Sequence, residues 1–169
     1  NSSEDHESGD WIEIFNPGEM DIDVSGYKLK DDNNDHSYNF PDETIIASGE
    51  YLVISNDLEA FSELYSNQIP IVGPFDFGFG GGGDMVRIFV LEGILVDSVN
   101  YDDELPWPLE PDGNGSTLEL KNSNLDNELA ESWSSSSGFG SPGMQNTNYL
   151  NILENEDQTP SEYSLLPAY

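Results

Sequence analysis

Asp31, Asn33 and Asp35 place side-chain oxygens at every second position, the spacing of a calcium loop, and Asp42 stands where its twelfth ligand would fall. Asp31, Asn33, Asp35 and Asp42 are therefore the candidate metal ligands of this chain, with calcium as the one cofactor the sequence suggests. Three features depart from a calcium loop. His36 replaces the glycine of the sharp turn, Asp42 is shorter than a bidentate Glu, and strand-like runs rather than helices flank the segment. A solvated hairpin turn that needs no cofactor explains the same residues. Asp102-Asp103-Glu104 is a second acidic cluster, which also reads as an exposed loop.

Other chemistries fail on residue type. Gly78, Gly80 and Gly83 satisfy G-x-G-x-x-G, yet a strand-like run follows where a nucleotide loop needs a helix, and no lysine follows. Phe139-Gly140-Ser141-Pro142-Gly143 lacks the first glycine of a nucleophile elbow. His6 and His36 are the only imidazoles, one in a polar terminus and one in an acidic turn, and no triad can be drawn from them. With 34 acidic residues, chance carboxylate pairs are everywhere and identify no glycosidase. The sequence assigns no catalytic residue and predicts a protein that is not an enzyme.

Charge narrows the partners. The 169 residues hold 34 Asp and Glu against 4 Lys and Arg, a formal charge of −30. Lys28, Lys30, Arg87 and Lys121 are too few and too scattered to neutralise phosphates, so neither nucleic acid nor an anionic membrane is expected as a partner. No run approaches the roughly 18 apolar residues of a membrane span, and no signal segment opens the chain, which predicts a soluble domain already trimmed. Such a surface repels itself until salt or cations screen it, which suits a saline or calcium-containing medium outside the cell. Without cysteine there are no disulfides, thiolate zinc sites or thiol nucleophiles. Apolar residues make up 36% of the chain, with 8 Phe and 8 Tyr, enough for an aromatic-rich core.

The elements that carry these groups are short. Trp11 to Phe15 is apolar with one Glu, and Gly26 to Lys30 alternates with a period of two, so both are predicted strands. The polar run Asp31 to His36 separates Tyr27 to Lys30 from Ser37 to Phe40 and predicts a hairpin that Pro41 closes. Tyr51 to Ser55 is continuous enough to be buried on both faces. Leu58, Phe61, Leu64 and Tyr65 fall at helical spacing behind an Asn56 or Asp57 cap, predicting one short helix near 57–65. Met85 to Leu91 and Ile94 to Tyr101 form a hairpin across Glu92-Gly93. Thr117 to Leu120 and Ser132 to Ser134 supply the last strands. Residues 1–10 read as a polar segment, 11–146 as one domain, and 147–169 as a linker or tail. Many short strands with little helix make an all-β antiparallel sandwich.

Several motifs stand in order along the chain: Asp10-Trp11-Ile12-Glu13-Ile14-Phe15-Asn16-Pro17, then Asp21 to Leu29, Phe40-Pro41, and Ile46 to Val53. Val96 to Tyr101, Thr117 to Leu120, Leu125-Asp126-Asn127, Glu131-Ser132-Trp133 and Ser141-Pro142-Gly143 follow. Together, over about Asp10 to Asn146, they resemble the lamin tail domain, an immunoglobulin-like sandwich of nuclear lamins and many secreted bacterial proteins. The resemblance implies an immunoglobulin-like β-sandwich with a binding or structural role. Family members usually place an apolar strand before the segment matched by Trp11, whereas Asn1 to Asp10 has no large apolar residue. An open sheet edge is then expected, with Tyr149 to Leu153 pairing onto it from the same chain or by strand exchange with a neighbour. Ser161 to Tyr169 resembles the lead-in to the C-terminal sorting domain of the type IX secretion system, without its Pro-Asn-Pro motif.

These expectations describe a non-catalytic interaction or spacer module of a larger protein, extracellular or on the bacterial cell surface, with an unidentified protein or polysaccharide partner. The alternative is a calcium-dependent adhesive or carbohydrate-binding domain using the loops Asp31 to His36 and Asp102 to Trp107.

Overall fold

Apolar side chains at alternate positions set the inner face of each strand. The computed structural model describes residues 7–66 and 68–151. In chain order the elements are β1 (Trp11–Phe15), β2 (Ile22–Asp23), β3 (Lys28–Lys30), β4 (Tyr38–Asn39), β5 (Ile45–Ile46) and β6 (Tyr51–Ser55). After helix α1 (Leu58–Leu64) come β7 (Ile71–Val72), β8 (Asp84–Phe89), β9 (Leu95–Tyr101), β10 (Leu118–Leu120), a 3-10 turn (Ala130–Ser132) and β11 (Trp133–Ser135). One sheet runs β1-β6-β7, a second β4-β3-β8-β9, and the pairs β2-β5 and β10-β11 complete the set.

Ile12, Ile14, Leu52, Ile54 and Val72 from the first sheet pack against Leu29, Tyr38, Val86 and Ile88 from the second. The core between them makes the expected all-β, immunoglobulin-like sandwich with a single short helix. Phe75, Phe77 and Phe79 point into that core at every second residue, with ring centroids 4.8 Å apart for Phe75–Phe77 and 5.8 Å for Phe77–Phe79. The opposite face of β6 is covered too. Val53 is fully buried there, and Trp11 packs edge-on against Phe61 and Tyr65 of the helical segment. β6 is thus buried on both sides, as its unbroken apolar run predicts.

Asp57 caps α1 by accepting the Ala60 amide at 3.0 Å. The helix then serves as a crossover: β7 pairs with β6 in parallel, Val53 opposite Ile71, an exception to the expected all-antiparallel pairing. The β8-β9 hairpin forms, but its turn differs from the two-residue link at Glu92-Gly93. Val90 N donates to Ile94 O and Gly93 N to Val90 O, so three residues span the turn and Gly93, at φ +82°, takes the left-handed bulge position. Gly26 also sits at a positive φ, +71°, where it leads into β3.

Residues 104–151 form a further layer around the antiparallel β10-β11 pair, in which Trp107 and Trp133 lie 6.3 Å apart. Of the Tyr149 to Leu153 segment, residues 149–151 are described, and no backbone hydrogen bond joins these three to β1. Leu150 N donates to Lys121 O at 2.7 Å and Asn122 Nδ2 to Leu150 O at 2.8 Å, so the chain returns to the end of β10 and not to the edge of β1. Ile152 and Leu153, His6, and the sorting-domain resemblance at 161–169 lie outside the described residues. Among the described residues no helix is long and apolar enough to cross a membrane.

Candidate functional site

Three groups of polar residues are built into this frame. The first is the acidic turn between β3 and β4. Asp31 is buried, with Oδ1 accepting the Asn33 amide at 2.9 Å and Oδ2 2.5 Å from His36 Nδ1. Asn33 Oδ1 accepts the Asp35 amide at 3.0 Å. Arg87 on β8 closes the turn: its Nε donates to the Asp31 carbonyl at 2.8 Å, its Nη2 donates to the same oxygen, and its Nη1 donates to Asn34 Oδ1 at 3.0 Å. The Lys30 ammonium reaches Asn34 O at 2.5 Å. The His36 ring stacks on Phe77, 13° from parallel, and its hydrogen bond to Asp31 raises its pKa. The side-chain oxygens of Asp31 and Asn33, two of the four candidate ligands, are thus turned to the turn's own amides and to His36. Asp42 is exposed beyond Pro41, and Asp31, Asp35 and Asp42 are not gathered into a metal-holding cluster.

The second group is the glycine-rich segment before β8. Asp10 Oδ2 accepts the Phe79 amide at 2.9 Å, and Asp84 Oδ2 accepts the Gly80 amide at 2.7 Å. Amides that a nucleotide loop would turn to phosphate face the chain's own carboxylates. Tyr101 closes this side by donating its hydroxyl to Gly80 O at 2.9 Å. Burial, with Asp84 and Asp10 nearby, pushes its pKa well above the ordinary phenol value.

The third group lies where the 104–151 layer meets β1, organised by Glu119 within the layer and joined to the sandwich by Glu13. Glu119, buried in the middle of β10, accepts Ser141 Oγ at 2.9 Å, the Thr147 amide at 2.9 Å and Thr147 Oγ1 at 2.7 Å. Glu13, on the β1 face turned away from Ile12 and Ile14, accepts the Gly143 amide at 2.5 Å. Burial, and secondarily the Glu119 charge, raises the Glu13 pKa to about 7, against the lowering effect of that amide. Beside this clasp runs an open groove of about 490 Å³ between Tyr65, Gln68, Ile69 and Pro70 on one side and 140–144 on the other, with Glu50 its one charged lining residue. Sequence reasoning did not single out Glu13 and Glu119. The available signal was a lone glutamate inside each of two apolar strand runs, W-I-E-I-F and L-E-L.

Two further carboxylates, Asp97 and Asp102, also accept hydrogen bonds from the chain itself. Asp97 accepts the Ser98 amide at 2.8 Å and the Asn127 side-chain amide at 2.9 and 3.0 Å. Asp102 Oδ1 accepts the Glu104 amide at 3.0 Å in the second acidic loop. Among the described residues no lysine or arginine forms an ion pair with a carboxylate. Lys30, Arg87 and Lys121 donate instead to carbonyls, the last to Glu131 O at 2.7 Å, and His36–Asp31 is the only ion-pair contact among the described residues.

The Lamin Tail Domain family, a family of non-catalytic immunoglobulin-like domains, matches residues 1–103. The match takes in β1 through β9 with Asp102 and Asp103 after it, so it includes Glu13, while β10, β11 and the other residues of the clasp lie beyond it. No curated protein matches the chain. With more than half of its residues matched and the strands of the match packed as two layers, this chain belongs to the lamin tail domain family.

Proposed function

We propose that the chain is a non-catalytic interaction or spacer module of a larger secreted or cell-surface protein. One observation carries the reading: the carboxylates of Asp10, Glu13, Asp31, Asp84 and Glu119 each accept backbone amides or hydroxyls of the chain itself. A carboxylate fixed in that way organises turns. It is not poised to move a proton on a bound substrate. The formal charge of −30, with Lys30, Arg87 and Lys121 spent on carbonyls, supports an extracellular setting, because the fold is then stabilised by ions that the medium supplies. The sorting-domain resemblance of residues 161–169 supports export across a bacterial outer membrane.

The test is turnover. The purified chain is incubated with panels of ester, glycoside, peptide and phosphodiester substrates, alongside His36→Ala and Glu119→Gln variants. Background rates throughout are expected. Hydrolysis above background that either substitution abolishes would overturn the reading.

A further inference from the structure

β9 ends the four-stranded sheet, and among the described residues no other element makes a backbone hydrogen bond to its outer edge. Its first half is open to solvent: Leu95 is 49% and Val96 54% exposed, and Leu91 and Ile94 from the adjoining turn are 62% and 67% exposed. An edge of unpaired amides and carbonyls next to contiguous apolar side chains is a template for another strand. The structure protects this edge only partly. The register slips between Ile88 and Phe89, and Asp97 is held by the Asn127 side chain, a side-chain contact that leaves the β9 backbone unpaired.

Charge selects the occupant. Glu92 in the turn and Asp102, Asp103 and Glu104 beyond the strand bracket the apolar stretch, within a chain of formal charge −30. A second copy would bring the same charge against it. Residues 152–169 carry Glu154, Glu156, Asp157 and Glu162 and no cation, so they too would bring like charge. We propose that the β9 edge takes up an extended, lysine- or arginine-bearing polypeptide segment as a fifth strand of this sheet, its backbone paired to β9 and its cations set against the acidic rim. This rests on the reading of the chain as an interaction module and names the class of partner.

The probe is a peptide of about nine residues alternating Val and Lys, long enough for one strand. It is titrated into the full chain and followed by backbone amide shifts and hydrogen exchange. Saturable binding that weakens with salt is expected, with shifts and slowed exchange concentrated at residues 94–100. Val96→Lys is expected to weaken binding about tenfold or more at an unchanged melting temperature. The same peptide with Glu in place of Lys should not bind. Equal binding by Val96→Lys, shifts centred elsewhere, or no binding would each overturn the proposal. So would a dimer of the free chain broken by Val96→Lys, or β9 amides that are protected in the free chain and lose that protection when residues 152–169 are removed. The turnover panel is unaffected by any of these results, so failure here is distinguishable from failure of the module reading.

Discussion

The Gly143 amide donates to Glu13 Oε2 across 2.5 Å, tying β1 to a turn 130 residues further along the chain. This bond fastens the 104–151 layer to a sandwich whose family match ends at residue 103, while Glu119 holds Ser141 and Thr147 together within that layer.

The clasp makes stability depend on pH. Glu13 is raised from 4.5 to about 7, chiefly by burial, so the folded state holds a proton that the unfolded chain has released. Its contribution is complete below pH 4.5 and is lost as pH rises through about 7. The shift corresponds to a loss on the order of 3 kcal/mol. Glu13→Gln keeps an acceptor for Gly143 and removes the titration. The unfolding free energy of this variant relative to wild type should rise between pH 4.5 and 7 and then level off, which denaturant titrations at a series of pH values would measure. A constant difference would contradict the burial of Glu13.

His36 shifts in the same direction for another reason. Its bond to the Asp31 carboxylate favours the imidazolium, so the stabilisation is present below the ordinary value of 6.5 and is lost as pH rises through the raised folded value. A histidine-resolved NMR titration of Asp31→Asn should move His36 back towards 6.5. No movement would mean that Phe77 stacking, not Asp31, governs the ring.

Arg87 ties β8 to the acidic turn through carbonyls, which no compact ammonium can span in the same way. Arg87→Lys is expected to cost about 1–2 kcal/mol and to quicken amide exchange at Asn33 and Asp35. An unchanged exchange pattern would show that the Asx turns hold without it.

Cations should act on this fold as screening charge. With Asp31, Asp35 and Asp42 not gathered, calcium, magnesium and sodium chlorides at matched ionic strength are expected to raise the melting temperature alike. A rise specific to low-millimolar calcium would reinstate a site at that loop.

Local patterning was legible where an element's own residues decide it. α1 follows from its helical spacing and Asp57 cap, and the Lys28–Lys30 and Tyr38–Asn39 pair from the polar turn between them. β7 was not legible. Two residues cannot show alternation, and Ile71–Val72 is a strand only because α1 returns it alongside β6. Phe75, Phe77 and Phe79 do alternate, but the Gly, Pro and Asp around them read as loop. Glu13 alternates as a solvent-facing residue should. Only the arrival of residues 140–147, remote in sequence, buries it. The spacing at Asp31, Asn33 and Asp35 likewise says nothing of where the oxygens turn, and those of Asp31 and Asn33 turn to local amides.

Residue-resolved amide hydrogen exchange tests most directly whether the carboxylates are spent on the scaffold. The amides of Asn33, Phe79, Gly80 and Thr147 lie outside the sheets yet are held by Asp31, Asp10, Asp84 and Glu119. They should exchange far more slowly than unstructured peptide. Exchange at peptide rates would show that these acids are free for other chemistry and would contradict the account.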